Sequence, residues 1–236
     1  MSANLDLYGG KDPRELPAYS FHEVALSLRI PMSTLRAWTR GQPGFEPLFN
    51  IPKDSHGLFE LSFYNLIESY VIVQLRRKHD LSMPKVRASI EYLQNIVNVA
   101  HPIVEADLFV VGTDLYIKHG LRSENLSRAG QYAIEGVIRD LLTRVDKGPF
   151  GFERFYPQMR NQKGQISDRY KPIVVDPEVS FGKPCLAGTG IPTAVIAERY
   201  RAGESINAIA KDYYTSAKKV REALAFEEEI PESTAA

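Results

Sequence analysis

The chain has 236 residues, enough for one large domain or two to three small ones, and either choice buries a sizeable core. Its 29 basic and 29 acidic residues cancel, which excludes a broadly basic nucleic-acid coat and confines any DNA contact to a local patch. The single cysteine, Cys185, excludes an intramolecular disulfide and a multi-cysteine zinc site. No basic start followed by an apolar core opens the chain, and no apolar run approaches the ~20 residues that span a bilayer. A soluble cytoplasmic protein without membrane partners is expected.

Residues 1–18 have no periodicity and read as an irregular lead-in. Ser20 and Glu23 have capping-box spacing, in which a hydroxyl and a carboxylate three residues apart satisfy free N–H groups at a helix start. Val24, Ala25 and Leu28 give that helix its apolar stripe. Pro31 ends it, and a second helix is expected over 33–40. Residues 50–59 carry a hairpin signal. A helix over 61–79 follows, then one over 84–100 whose Val86, Ile90, Leu93 and Val97 make a partner-facing seam.

Beyond Ala106 the pattern changes. Residues 108–111 and 115–118 flank a turn and suggest a hairpin, whereas 131–144 is ambiguous between strand and helix. Polar residues 158–168 read as a linker, and Ile173 to Val175 as a short strand. Three helices fit 193–201, 205–213 and 216–228, each opening on a hydroxyl residue suited to an N-cap.

Two constellations carry function. The first is the short helix pair, whose second member begins Met32-Ser33-Thr34-Leu35-Arg36. A major groove admits one helix, whose early residues reach base edges while hydroxyls and arginines hold phosphates. Ser33, Thr34, Arg36 and Arg40 are of those types, and Leu35 and Trp38 would anchor the helix. Lys53 and His56 on the hairpin would touch the flanking backbone as a wing. The stretches YSFHEVALSLRIPMSTLRAWTR at 19–40 and LFELSFYNLIESYVIVQLRRKHDLSMPKVRASI at 58–90 resemble the MerR-type winged helix-turn-helix.

The second constellation is the loop of Gly182, Pro184, Gly188, Gly190 and Pro192. A phosphate cradle is disfavoured because Thr189, not lysine, follows Gly188, and Pro184 removes a donor. A rigid structural loop is the better reading. DPEVSFGKP, AGTGIPT, RAGESINAIAKDY and VREALAFEE resemble a small antitoxin domain once catalogued only as a domain of unknown function. Its fusion behind a MerR-like domain is similar to a longer branch of VapB-type antitoxins. The resemblance implies an antitoxin that neutralises a nearby-encoded ribonuclease toxin of PIN-like fold and represses its own operon. Ser216, Lys218, Lys219 and Arg221 would then start the outer helix of a second helix-turn-helix, or form a solvated face. Arg199 and Arg201, near a helix end, are candidates for the toxin's carboxylates.

No catalytic, metal or cofactor site is expected: Cys185 has no neighbouring histidine, and the five histidines lack ligand spacing. The expected architecture is α+β, mainly helical. It comprises a winged helix-turn-helix at 19–100, a small α+β middle at 101–167 and a C-terminal three-helix, helix-turn-helix-like domain at 168–230. Self-association as a homodimer or higher is expected from the seam and from paired DNA half-sites. The alternative is a MerR-like regulator whose C-terminal domain serves oligomerisation or effector binding, with no toxin partner.

Overall fold

The computed structural model describes residues 8–52, 60–77, 80–96, 101–105, 108–111, 114–119, 122–125, 131–133, 143–148, 151–160, 164–167 and 169–228. Mixed helix with small antiparallel sheets is observed. The chain divides into two compact units, both discontinuous in sequence. One takes residues 1–32, 54–63 and 144–236; the other takes 33–53 and 64–143. The stretch 19–100 therefore contributes to both.

In the first unit, α1 (Phe21–Leu28) starts on the expected capping box. Ser20 Oγ accepts from Glu23 N, and Glu23 Oε2 accepts from Ser20 N at 2.8 Å. The other Glu23 oxygen pairs with Lys183 Nζ at 2.6 Å. Leu26 enters a core that it shares with Ile173, Leu186, Ile196, Ile209, Val220 and Phe226. Arg29, left-handed at the helix end with φ 54°, donates to the Phe226 carbonyl from both Nη atoms at 3.3 Å. Its guanidinium also lies 5.2 Å from the centre of the Phe226 ring. The first helix thus belongs to the core of the C-terminal segment.

The C-terminal segment of this unit begins with β5 (Val145–Gly148) and β6 (Gly151–Phe155), an antiparallel pair. Phe155 exchanges both backbone bonds with Val175, at 2.9 and 2.8 Å. β7 (Ile173–Val174) pairs with β8 (Cys185–Leu186). Helices α6 (Thr193–Arg201), α7 (Ile206–Asp212) and α8 (Ala217–Glu228) follow as expected from the sequence. Ser205 caps α7 by accepting from Ala208 N, and Ser216 accepts from Lys219 N at 3.3 Å. Thr193 corrects the expected pattern. The cap position of α6 is Pro192, while the Thr193 hydroxyl is buried and bonds the Pro184 carbonyl and Glu227.

Arg144 organises the segment read as a linker. It is fully buried, with its guanidinium donating to the carbonyls of Tyr156 (2.8 Å), Pro157, Ser167 (3.2 Å) and Tyr170 (2.9 Å). A buried cation needs such compensation, and here backbone dipoles provide it.

The second unit holds α2 (Met32–Arg40) from Ser33 onward and most of α3 (Phe63–Arg77). It also contains α4 (Met83–Ile96), α5 (Pro102–Glu105) and a four-stranded antiparallel meander. The meander runs β1 (Leu108–Val111), β2 (Asp114–His119), β3 (Arg122–Asn125) and β4 (Gln131–Ala133), in chain order. The expected hairpin is present, with Val111 opposite Asp114. The ambiguous stretch 131–144 opens as strand β4, because β3 leaves an edge that Gln131 to Ala133 pair with.

Helix α3 is buried on more than its apolar face: Asn65, Glu68, Ser69 and Gln74 are as hidden as Leu66 and Ile67. Asn65 Nδ2 donates to the Asn50 carbonyl at 2.8 Å and to Glu68 Oε2 at 3.1 Å. His101 Nδ1 lies 3.4 Å from the same carboxylate oxygen. Val86 and Ile90 of the expected seam are buried within the single chain, so these two residues are already covered. Leu93 lies on α4, and Val97 falls outside the described residues.

Candidate nucleic-acid and partner interfaces

Helix α2 separates cleanly into two faces. Leu35, Trp38 and Thr39 are buried, and Thr39 Oγ1 closes back onto the Leu35 carbonyl at 3.0 Å. Ser33, Arg36 and Arg40 are exposed and Thr34 is half-buried. The three-and-four spacing puts Ser33, Arg36 and Arg40 on one outward stripe, the arrangement a groove-reading helix requires. Gly41 ends the helix at φ 74°, where a Cβ would lie 2.8 Å from the Phe45 carbonyl. Arg87 then ties down the loop, donating to the Glu46 carbonyl at 2.7 Å with its guanidinium 4.9 Å from the Phe45 ring centre. Lys53 and His56 lie outside the described residues.

The second candidate set is less uniform. Ser216 acts as a cap, and Lys219 Nζ donates to the Ala187 carbonyl at 3.2 Å. Lys218 and Arg221 are exposed, with Lys218 3.9 Å from Glu222. Val220, Ala223, Leu224 and Phe226 commit the rest of α8 to the core. At the turn before it, Tyr214 is 98% exposed in a left-handed conformation, φ 50°.

On α6 the two arginines diverge. Arg199 is held by Glu204 and by Asp212 at 2.6 Å, and it lies 5.2 Å from the centre of the Tyr213 ring. Those hydrogen bonds, Glu204 first, hold its guanidinium charge more firmly than usual and draw the Glu204 carboxyl below its ordinary range. Arg201 is exposed, as are Tyr200 and Val195 on the same helix.

The glycine-proline loop is tied by backbone hydrogen bonds to its flanking elements. Gly182, Gly188 and Gly190 adopt φ 76°, 75° and 70°. The Pro184 carbonyl accepts from Thr193 N at 2.9 Å, and Leu186 N donates to Ile191 O at 2.9 Å. Cys185 is buried, its thiol directed to the Lys183 carbonyl at 3.2 Å, and burial pushes the thiol up. That environment favours a packed thiol over a nucleophile. Among the described residues no group of three or more His, Cys, Asp or Glu side chains can hold a metal ion. No described helix is long and apolar enough to cross a membrane.

Sequence reasoning missed Arg144, Arg29 and the buried Asn65–Glu68–His101 cluster. Arg144 sits in an ambiguous stretch, and its acceptors are backbone carbonyls that no side-chain pattern reveals. Glu68 lies among the apolar residues of α3, where an isolated acid was the available signal.

Residues 173–226 match the family described as "Protein of unknown function (DUF433)". The chain is also similar to a protein of Mycobacterium tuberculosis named "Putative antitoxin VapB45". That match is 27% identical and covers 89% of this chain and 93% of the relative. A second relative from the same organism, "Uncharacterized protein Rv2308", is 22% identical over 87% of this chain and 88% of its own length. Among solved structures, the crystal structure of Rv2018 from Mycobacterium tuberculosis shares the fold. It superposes with a TM-score of 0.59 at 20% identity, covering 89% of this chain and 98% of that one. The similarity to the two relatives extends well beyond the C-terminal match, across both units.

Proposed function

We propose that this chain is the antitoxin of a type II toxin–antitoxin system. It neutralises a PIN-like ribonuclease toxin by direct binding and represses its own operon by binding operator DNA. The observation that carries this reading is the similarity, along 89% of the chain, to the relative named "Putative antitoxin VapB45".

The DNA-binding half is supported by α2, where Ser33, Arg36 and Arg40 share an exposed stripe opposite buried Leu35 and Trp38. In this reading Arg36 and Arg40 hold phosphates or guanine edges, Ser33 and Thr34 bond the backbone, and Lys53 and His56 form the wing. Lys218 and Arg221 are secondary contacts, and a homodimer reads paired half-sites. The toxin-binding half is supported by α6, where Arg201 and its neighbour in sequence Tyr200 are both exposed. Arg199 serves that surface as a brace, because Glu204 and Asp212 already occupy it.

The test is co-expression of the tagged chain with the ribonuclease encoded beside it. A stoichiometric complex that survives high salt and silences the ribonuclease is the expected result. Retention of no partner, while the chain alone still shifts its own promoter fragment, would overturn the toxin half and leave a plain regulator.

A further inference from the structure

Arg87 carries a charge that no acid answers among the described residues. Arg14, Arg154 and Arg199 are each joined to a carboxylate, and Arg144 spreads its charge over backbone carbonyls. Arg87, half-buried on α4, instead donates from Nη1 to the Glu46 carbonyl at 2.7 Å and lies 4.9 Å from the centre of the Phe45 ring. Glu46 thus offers its carbonyl and not its carboxylate. Burial draws the guanidinium below the usual arginine range, with no neighbouring charge to offset it. A cation that has lost part of its water and gained no counter-ion is stabilised by an arriving anion.

The geometry of the group selects the anion. With Nη1 committed to Glu46, the Nε and Nη2 donors form the remaining edge, whose spacing grips two oxygens of one phosphate side-on. The hydrogen bond to Glu46 lies at the surface, and neither of those two nitrogens is sealed from solvent. The Phe45 ring, itself 51% exposed, supports the fork from beneath and fixes its plane.

Backbone bonds tie this fork to α2. Gln42 and Phe45 exchange both hydrogen bonds, at 3.0 and 2.8 Å, around Pro43 and Gly44, whose φ of 82° suits the third position of a tight turn. Leu48 N donates to the Trp38 carbonyl at 2.7 Å, and Gln94 of α4 donates to the Leu48 carbonyl at 3.2 Å. The segment 41–48 is therefore fastened to α2 through Trp38 and to α4 through Arg87 and Gln94. Arg87 shares this frame, within the second unit, with the outward Arg36 and Arg40. A duplex carries one negative charge per ~1.7 Å of axis, so a cation fixed beside a groove-reading helix has a phosphate within reach.

We propose that Arg87 clamps one backbone phosphate of duplex DNA through its Nε–Nη2 edge, with Phe45 holding the fork in plane, and so sets how α2 seats in the groove. The clamp rests on the DNA-binding half of the proposed function. It adds a contact from α4 that positions the chain without reading sequence.

The test titrates the full-length chain with its own promoter fragment and with an unrelated duplex of equal length, across a range of salt. Arg87→Gln is expected to weaken both about fivefold and to lower the salt slope by about one. Arg87→Lys keeps the slope and still loses affinity, because an ammonium neither stacks flat nor grips two oxygens. Phe45→Ala weakens binding without changing the slope. Phosphate ethylation interference locates the contact: one phosphate that matters to the wild-type chain ceases to matter to Arg87→Gln, while the others persist. Their persistence also shows that the variant is folded. An unchanged slope and interference pattern in Arg87→Gln overturn the clamp and leave DNA binding by α2 intact. A loss confined to the promoter fragment makes Arg87 a base reader and overturns the clamp, as does a loss seen only in toxin binding. Failure of the wild-type chain to bind either duplex overturns the DNA reading itself, and the clamp with it.

Discussion

Helices α2 and α8 were candidates for the same task, and they differ in how their side chains are used. On α2 the buried residues Leu35, Trp38 and Thr39 lie opposite a polar stripe whose side chains face outward. On α8 the core takes Val220, Ala223, Leu224 and Phe226, and even Lys219 is turned back to a carbonyl of the loop. Both sequences carry hydroxyls and cations at the helix start. A cluster of such residues is a binding surface only where packing leaves it outside.

The largest effect expected from this contrast is on stability. Phe226→Ala removes a fully buried ring beneath Arg29 and is expected to cost about 3–5 kcal/mol, read as a lower urea midpoint. Arg36→Gln on the exposed stripe is expected to move that midpoint by less than about 0.5 kcal/mol. Similar losses for both would erase the distinction between the helices.

DNA affinity supplies the next test, of smaller magnitude. Arg36→Gln and Arg40→Gln are each expected to weaken binding to the chain's own promoter fragment about tenfold. A phosphate-contacting arginine also lowers the salt slope by about one. Lys219→Gln is expected to leave both quantities unchanged, because its ammonium is engaged at Ala187. A salt slope reduced by Lys219→Gln, and not by Arg36→Gln, would reverse the assignment.

The smallest expected effect concerns alkaline pH and bears on α8 as a packed element. Burial first, then hydrogen bonds to Asp146 and Glu222, push the phenols of Tyr156 and Tyr170 up to about 12. The unfolded chain ionises these groups near 10, so folding is favoured fully below that pH. The contribution declines as pH rises from about 10 through 12. Both rings are partly exposed, so solvent tempers the effect. Tyr170→Phe, which cuts the tie to α8 at Glu222, is expected to flatten the alkaline fall of the urea midpoint.

Local patterns were legible where local physics decides. The capping box at Ser20 and Glu23, the three C-terminal helices, and the hairpin around Val111 and Asp114 all follow from spacing and turn chemistry. The outward set on α2 was legible for the same reason, since Leu35 and Trp38 fix which face turns inward. Long-range partnerships were not legible. Nothing near Arg144 in sequence announces four carbonyl acceptors reaching out to Tyr170, and nothing near Arg29 announces Phe226. Thr193 looked like a cap because hydroxyls usually are, but a tertiary partner at Pro184 outbid the helix end. Arg199 looked available because Glu204 meets it only once the chain turns after α6, and Asp212 only at the end of α7.

The discontinuous first unit has a consequence for synthesis. Leu26 and Arg29 leave the ribosome early, yet the core and carbonyl they join are built from residues as late as Phe226. Until Phe226 is made, α1 carries an uncovered apolar side, a state that chaperones bind and proteases cut. Any message truncated before α8 leaves that side permanently open. Synthesis through α8 is thus a quality check: only a molecule that includes α8 can hide α1.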